Sequence, residues 1–285
     1  VKLVGLLARN PESSLAPRAM AAFLRKARLS YHYQPFSVDP PQFREAYEGL
    51  KLLSGVGFNL GAPYRSIAAR YTSLLSEEVN IVGALDTVAI SGGKDTGHNV
   101  QVRALADFLN ETGFVCQGAR VMVIGAGAAA SGAIYTFLSG GAEIVWVANK
   151  TQEKAFALSS RYERYGMGQV VSVALSESET GRVLPECQLV LHATPLGSRS
   201  VPRIFPPIHY GSLRPDAIAV DMIYDPVNTP FLARCGQFTA RTYSGIRAFA
   251  LSLARSWELW TGRDDSDAIW ETVNEMAGAQ IVENP

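Results

Sequence analysis

The run Arg120-Val121-Met122-Val123-Ile124-Gly125-Ala126-Gly127-Ala128-Ala129-Ala130 decides the fold. An unbroken apolar stretch ends in glycine, and an alanine-rich segment follows. Continuous runs of this kind fit a strand buried on both faces of a parallel sheet. The spacing predicts a helix over 128–138. Gly125 and Gly127 permit a tight turn and a close backbone approach. The helix N-terminus behind them offers free N–H groups and the positive end of its dipole to a pyrophosphate. Gly125, Ala126, Gly127, Ala128 and Ala129 are therefore candidate cofactor-binding residues, with Ala130 small enough for close helix–strand packing. A bare GxG carries little weight; its position between a strand and a helix is what gives it force. The competing reading is a tight turn in an α/β domain without cofactor.

The next strand, over 143–148, ends in Asn149-Lys150-Thr151, with Lys154 close behind. An NAD site places a carboxylate on the ribose about 20 residues past the glycine loop. No carboxylate closes this strand. Lys150 suits a 2′-phosphate instead, so NADP is favoured over NAD, with Asn149, Lys150, Thr151 and Lys154 as candidate contacts. The alternative for the two lysines is a solvated helix start.

Outward from this junction the alternation continues. Helix is expected over 152–162, strands over 170–174, 188–192, 217–222 and 239–243, and helices over 247–260 and 267–279. Upstream, strands are expected over 2–8, 31–38 and 56–60, and helices over 16–29, 42–53, from Pro63 through Leu75, and over 103–109. Strand–helix alternation argues for an α/β layer fold.

Composition agrees with this. The 285 residues favour two domains. Apolar residues make up 47% and charged residues 18%, with mean hydropathy +0.06, which excludes a disordered chain. Lys+Arg and Asp+Glu both number 26, so the basic excess of a nucleic-acid or anionic-membrane binder is missing. No apolar run approaches the ~20 residues of a membrane span. The opening residues read as a buried strand rather than a leader. Cys116, Cys187 and Cys235 are an odd count at wide spacing, against a disulfide scaffold or zinc site and for a reducing, cytoplasmic setting.

The landmarks, taken together, resemble the shikimate dehydrogenase family. They are Asn10-Pro11-Glu12-Ser13-Ser14-Leu15-Ala16-Pro17, Asn59-Leu60-Gly61-Ala62-Pro63-Tyr64-Arg65, Ala84-Leu85-Asp86-Thr87 and Gly97-His98-Asn99-Val100-Gln101. They continue through the glycine loop, Asn149-Lys150-Thr151, His192-Ala193-Thr194-Pro195-Leu196-Gly197, the stretch from Tyr224 to Leu232, and Gly245 followed by Ser252. No single motif decides; nine in sequence do, with order and spacing in agreement apart from about one residue missing in the first. The resemblance implies a two-lobed α/β fold. A Rossmann-type NADP domain would span 103–245. An N-terminal α/β substrate domain would span 1–102, completed by the C-terminal helices over 246–285. A small-molecule substrate is implied, and the chain would work as a monomer or homodimer.

Residue by residue, the cofactor side matches the family in kind at Gly125, Gly127, Asn149, Lys150, Thr151, Ala193, Thr194, Tyr224 and Gly245. Ser131 stands where the family has lysine or arginine. The substrate side departs further. The family's proton-relay lysine and aspartate are Arg65 and Gln101 here. The asparagine of AVNT is Asp86, the threonine of NVT is Gly61, the second carboxylate-holding serine is Ala16, and the closing-helix glutamine is Ser252. Ser14, Asn59 and Thr87 remain. Lysine can be tuned to release a proton; arginine, above about 12, effectively cannot. Each lost partner for a buried hydroxyl costs about 1–3 kcal/mol.

Arg65, Asp86 and Gln101 are thus the candidate catalytic residues of a repurposed site, with Ser14, Asn59, Thr87, Tyr224 and Ser252 as candidate substrate contacts. Arg65 would hold a substrate oxyanion or carboxylate; Asp86 would orient Arg65 or accept a proton. The alternative is an Arg65–Asp86 salt bridge filling a vacated pocket. His98 is a possible replacement acid or a loop histidine; Tyr64 a donor or a packing residue; His192 a structural histidine at a family asparagine position. Three functions follow from the resemblance: an NADP-dependent oxidoreductase for a substrate other than shikimate, a non-catalytic nucleotide or metabolite binder, and an ordinary shikimate dehydrogenase.

Overall fold

The structure, a computed structural model, describes residues 1–283. The chain divides into two compact units, 1–104 with 249–285, and 105–248.

The first unit opens with β1 (Lys2–Ala8), α1 (Ala16–Lys26), β2 (Tyr31–Ser37), α2 (Phe43–Ser54) and β3 (Gly57–Leu60). Then come β4 (Leu74–Leu75), α3 (Glu77–Val82), β5 (Thr87–Ser91), β6 (Lys94–His98) and α4 (Val100–Glu111), which runs past the unit's boundary. The sheet order is β2-β1-β3-β5-β6-β4, parallel at β2-β1-β3 and antiparallel at β3-β5-β6. One core cluster gathers Leu7, Phe43, Tyr47, Phe58, Tyr64 and Val88.

The expected helix from Pro63 through Leu75 does not form. Two 3-10 turns, Tyr64–Ser66 and Ala68–Arg70, precede β4. The Arg65 carbonyl accepts the N–H of Leu85 at 2.9 Å, so it has no intrahelical use. Tyr64 is drawn fully into the core, stacked on Phe43 at 4.4 Å with its hydroxyl donating to the Val38 carbonyl.

The second unit carries β7 (Arg120–Ile124), α5 (Ala128–Ser139), β8 (Ile144–Asn149), α6 (Gln152–Arg164), β9 (Gln169–Ala174) and α7 (Glu177–Val183). It continues with β10 (Leu189–His192), β11 (Ile218–Asp221), α8 (Pro230–Cys235) and β12 (Arg241–Ser244). All strands are parallel, in the order β12-β11-β10-β7-β8-β9. This is the doubly wound dinucleotide-binding topology, with its switch point between β7 and β10. Val121, Val123, Val145, Val147, Leu189 and Leu191 are completely buried, which explains the unbroken apolar runs.

The chain closes with α9 (Ile246–Thr261) and α10 (Ser266–Glu283). Trp257 of α9 is fully buried against Phe23 of α1 and Tyr31 of β2, and the Trp260 indole donates to the Val88 carbonyl at 2.9 Å. The C-terminal helices therefore complete the first unit's core.

Candidate active site

In the first unit Asn59, Arg65, Thr87 and Gln101 gather around Asp86. Asp86 lies just before β5, 5% exposed, with its N–H donating to the His98 carbonyl at 3.0 Å. Its Oδ1 accepts the Val100 N–H at 3.0 Å and the Thr87 hydroxyl at 2.9 Å; its Oδ2 accepts the Gln101 N–H at 3.1 Å. The carboxylate thus caps α4, where the helix dipole favours an anion. Burial pushes the Asp86 carboxyl above the ordinary carboxylate range, against the pull of the Arg65 charge and these hydrogen bonds.

Arg65 is half-buried, and its Nε donates to the Leu60 carbonyl at 3.0 Å. No ion pair joins it to Asp86 among the described residues; the two interact as nearby charges. The alternative of a direct salt bridge is therefore not what forms; the Val100 and Gln101 amides at the start of α4 occupy the two carboxylate oxygens. The two terminal nitrogens of Arg65 form no hydrogen bond among the described residues. The Gln101 side chain and the His98 ring are likewise unengaged there. Burial lowers the His98 pKa against the pull of Glu78 and Asp86, so the imidazole is neutral at pH 7. The Tyr64 hydroxyl is spent on Val38, which leaves it a packing residue.

Asn59 and Thr87 sit in a saturated network. The Asn59 Oδ1 accepts the Tyr33 hydroxyl at 2.8 Å, and its Nδ2 donates to Thr87 Oγ1 at 3.0 Å and Ser256 Oγ at 2.8 Å. Ser256, 1% exposed, escaped the sequence reading. The available signal was its position one helical turn after Ser252. The Ser252 hydroxyl itself turns back onto the Phe249 carbonyl at 2.7 Å, and Ser14 Oγ accepts the Ala16 N–H at 3.2 Å at the start of α1.

In the second unit the glycine loop has the form a dinucleotide needs. Gly125 adopts φ +125°, and a Cβ there would come within 2.8 Å of the Ala193 carbonyl oxygen. Gly127, by contrast, has open space where its Cβ would stand. It begins α5 with no side-chain cap, so the first-turn N–H groups of Ala128 and Ala129 are available to an anion. At the end of β8, Lys150, Thr151 and Lys154 are exposed, and neither lysine has a partner among the described ion pairs. The Asn149 side chain donates to the Thr151 carbonyl at 2.8 Å and shapes this turn. Gly245, buried after β12, packs so closely that a Cβ would meet the Met222 carbonyl at 2.5 Å. Tyr224 is half-buried in the segment after β11, and so belongs to the second unit.

Comparison with known proteins now adds an independent line. Residues 6–88 match the family model for the shikimate dehydrogenase substrate binding domain, and residues 109–198 match the shikimate / quinate 5-dehydrogenase model. The NADP(+) shikimate dehydrogenase of Pelodictyon phaeoclathratiforme is 32% identical over 265 residues, 92% of each chain.

The chain belongs to the shikimate dehydrogenase family.

That of Geobacter sulfurreducens is 30% identical, covering 92% of this chain and 91% of its own. A solved shikimate dehydrogenase in complex with NADP+ superposes with a TM-score of 0.87 at 25% identity, covering 97% of this chain and 96% of the other. The fold is shared with 5-ketofructose reductase of Gluconobacter sp. strain CHM43 at a TM-score of 0.85 and 24% identity, covering 96% and 98%. As a shikimate dehydrogenase family member the chain is an oxidoreductase.

Proposed function

We propose that this protein is an NADP-dependent oxidoreductase whose substrate is an anionic carbonyl or imine compound, or the corresponding hydroxy or amino acid, other than shikimate. The relatives named as NADP(+) enzymes support the cofactor, and so does the fit of the site. Gly127 leaves room for the pyrophosphate over the uncapped start of α5, and Lys150 is free to meet a 2′-phosphate. NADP, when bound, carries the hydride.

The observation behind the substrate reading is the state of Arg65. Its Nε is anchored on Leu60, which leaves the terminal nitrogens as a preset fork for a carboxylate or oxyanion. Gln101 and His98 flank the same carboxylate, Asp86, and contribute an uncharged amide and a neutral imidazole. Asp86 holds α4 and balances the guanidinium. An arginine–glutamine pair has no readily titratable proton, so the lysine–aspartate relay of the motif has no counterpart at these positions. The relatives' names support a second reading, in which shikimate itself is the substrate.

NADPH fluorescence titration followed by an absorbance screen separates these readings. The panel is 3-dehydroshikimate, other cyclic keto acids, open-chain 2-oxo acids, and each with an amine source. The proposal expects NADPH to bind, and its best substrate to exceed 3-dehydroshikimate in kcat/KM by about 100-fold or more, near 3 kcal/mol of transition-state binding. Brisk reduction of 3-dehydroshikimate establishes the second reading instead.

A further inference from the structure

His192 ends β10 with its side chain completely buried. Its Nδ1 lies 3.1 Å from Asp221 Oδ1, and its Nε2 lies 2.5 Å from Thr194 Oγ1. A carboxylate only accepts, so Nδ1 donates to Asp221, while Nε2 and the Thr194 hydroxyl share the second hydrogen bond. Thr194 Oγ1 in turn accepts the Leu196 N–H at 3.3 Å, closing the turn over 193–196. Asp221, also fully buried, accepts the Ile223 N–H at 3.0 Å and the Thr229 hydroxyl at 2.6 Å, and Thr229 caps α8. One imidazole therefore ties the turn after β10 to the loop after β11.

That turn presses on the glycine loop. The Ala193 carbonyl lies 2.8 Å, and the Thr194 methyl 3.2 Å, from where a Cβ of Gly125 would stand. A dinucleotide in this topology spans the carboxyl ends of the strands. With the adenosine half toward β8 and Lys150, and the pyrophosphate at α5, the nicotinamide half lies toward β10 and β11. We infer that His192 is a positioning residue for the nicotinamide half of the cofactor, acting through Thr194. The inference rests on the NADP reading above. Its signature is selective: a weakened grip on the nicotinamide half beside an intact grip on the adenosine half.

The experiment measures NADPH and 2′,5′-ADP affinities by calorimetry for wild type, His192→Phe, Thr194→Val and the double variant. The single variants should each weaken NADPH about 10-fold while 2′,5′-ADP stays within about 2-fold. The double variant should lose little more than either single one, because the two residues act as one device. Unchanged NADPH affinity in both single variants overturns the inference. So does parallel loss of NADPH and 2′,5′-ADP, which marks general damage. If His192→Phe does not fold, Thr194→Val alone must show the selective loss. Wild-type protein that binds neither ligand overturns the NADP reading, and the inference falls with it; wild type that binds both, with unaltered variants, overturns the inference alone.

Discussion

Asp86 Oδ2 accepts the backbone N–H of Gln101 at 3.1 Å, and through this contact two candidate catalytic residues are joined by main chain rather than by side chain. The carboxylate serves as the N-terminal cap of α4, while the Gln101 side-chain amide makes no hydrogen bond among the described residues. Arg65 balances the charge from beyond contact distance. A buried carboxylate whose pKa is driven up is held at a cost, a common mark of functional positions.

Asp86→Asn should therefore keep its fold. Burial outweighs the favourable partners of the anion, so the native state binds the Asp86 proton more tightly than the unfolded chain does. Wild-type stability then falls, relative to the neutral variant, as pH rises from about 4 through the raised pKa. Urea midpoints across that window should converge at acid pH and favour Asp86→Asn at neutral pH. Removing the negative charge beside Arg65 should also tighten binding of a carboxylate ligand. Unchanged ligand binding and turnover would take Asp86 out of the site.

Arg65→Gln should weaken an anionic substrate about 100-fold, since charge-assisted bidentate contacts are the strong ones. Arg65→Lys keeps the charge but loses the fork and the Leu60 anchor, and should cost about 10-fold in KM. Neither change supplies a proton partner at 101. The double variant Arg65→Lys with Gln101→Asp restores the family's relay pair and should gain a 3-dehydroshikimate reductase activity absent from both single variants. Steady-state kinetics with the same substrate panel reads all three.

How much of this was visible in the amino acids varies with the element. The second unit was legible because β7, β8 and β10 are buried on both faces, which leaves unbroken apolar runs and a glycine loop between them. The hairpin of β5 and β6 was missed because Lys94–His98 is polar and the Gly92–Gly93 turn carries no apolar periodicity. The segment after Pro63 looked helical from Ile67, Ala68 and Tyr71, yet the Leu85 N–H takes the carbonyl of Arg65 from another part of the chain. The same limit applies at the site. The family resemblance implies that Arg65, Asp86 and Gln101 lie together, but only the fold reveals that helix amides 14 and 15 residues downstream of Asp86 hold its carboxylate in place of the guanidinium.

The two glycines of the cofactor loop should behave oppositely. Gly125→Ala forces a side chain into φ +125° and 2.8 Å from a carbonyl oxygen, so it should lower the melting temperature. Gly127 opens on space, so Gly127→Val should leave the melting temperature nearly unchanged while blocking the pyrophosphate. Lys150→Ala should weaken NADPH about 10-fold and leave NADH unaffected, because only the 2′-phosphate loses a partner.

A pH-dependent stabiliser of the first unit lies at Asp95. This carboxylate is completely buried in β6, where burial alone would raise its pKa. Hydrogen bonds from Ser73, from the Tyr47 hydroxyl at 2.9 Å and from Lys51 at 3.1 Å outweigh burial and hold the pKa below the usual carboxylate range. The unfolded chain thus binds a proton at a pH where the native chain does not. Stability is fully present above about 4 and is lost as pH falls through the lowered pKa. Asp95→Asn removes the charge and one of the two acceptor oxygens that Lys51, Ser73 and Tyr47 share, and should cost about 3 kcal/mol at pH 7, the scale of breaking a buried ionic network. That gap should close in urea titrations at acid pH, where the wild-type carboxyl is itself neutral. A gap that stays constant down to pH 3 would mean that packing, not charge, holds this corner of the sheet.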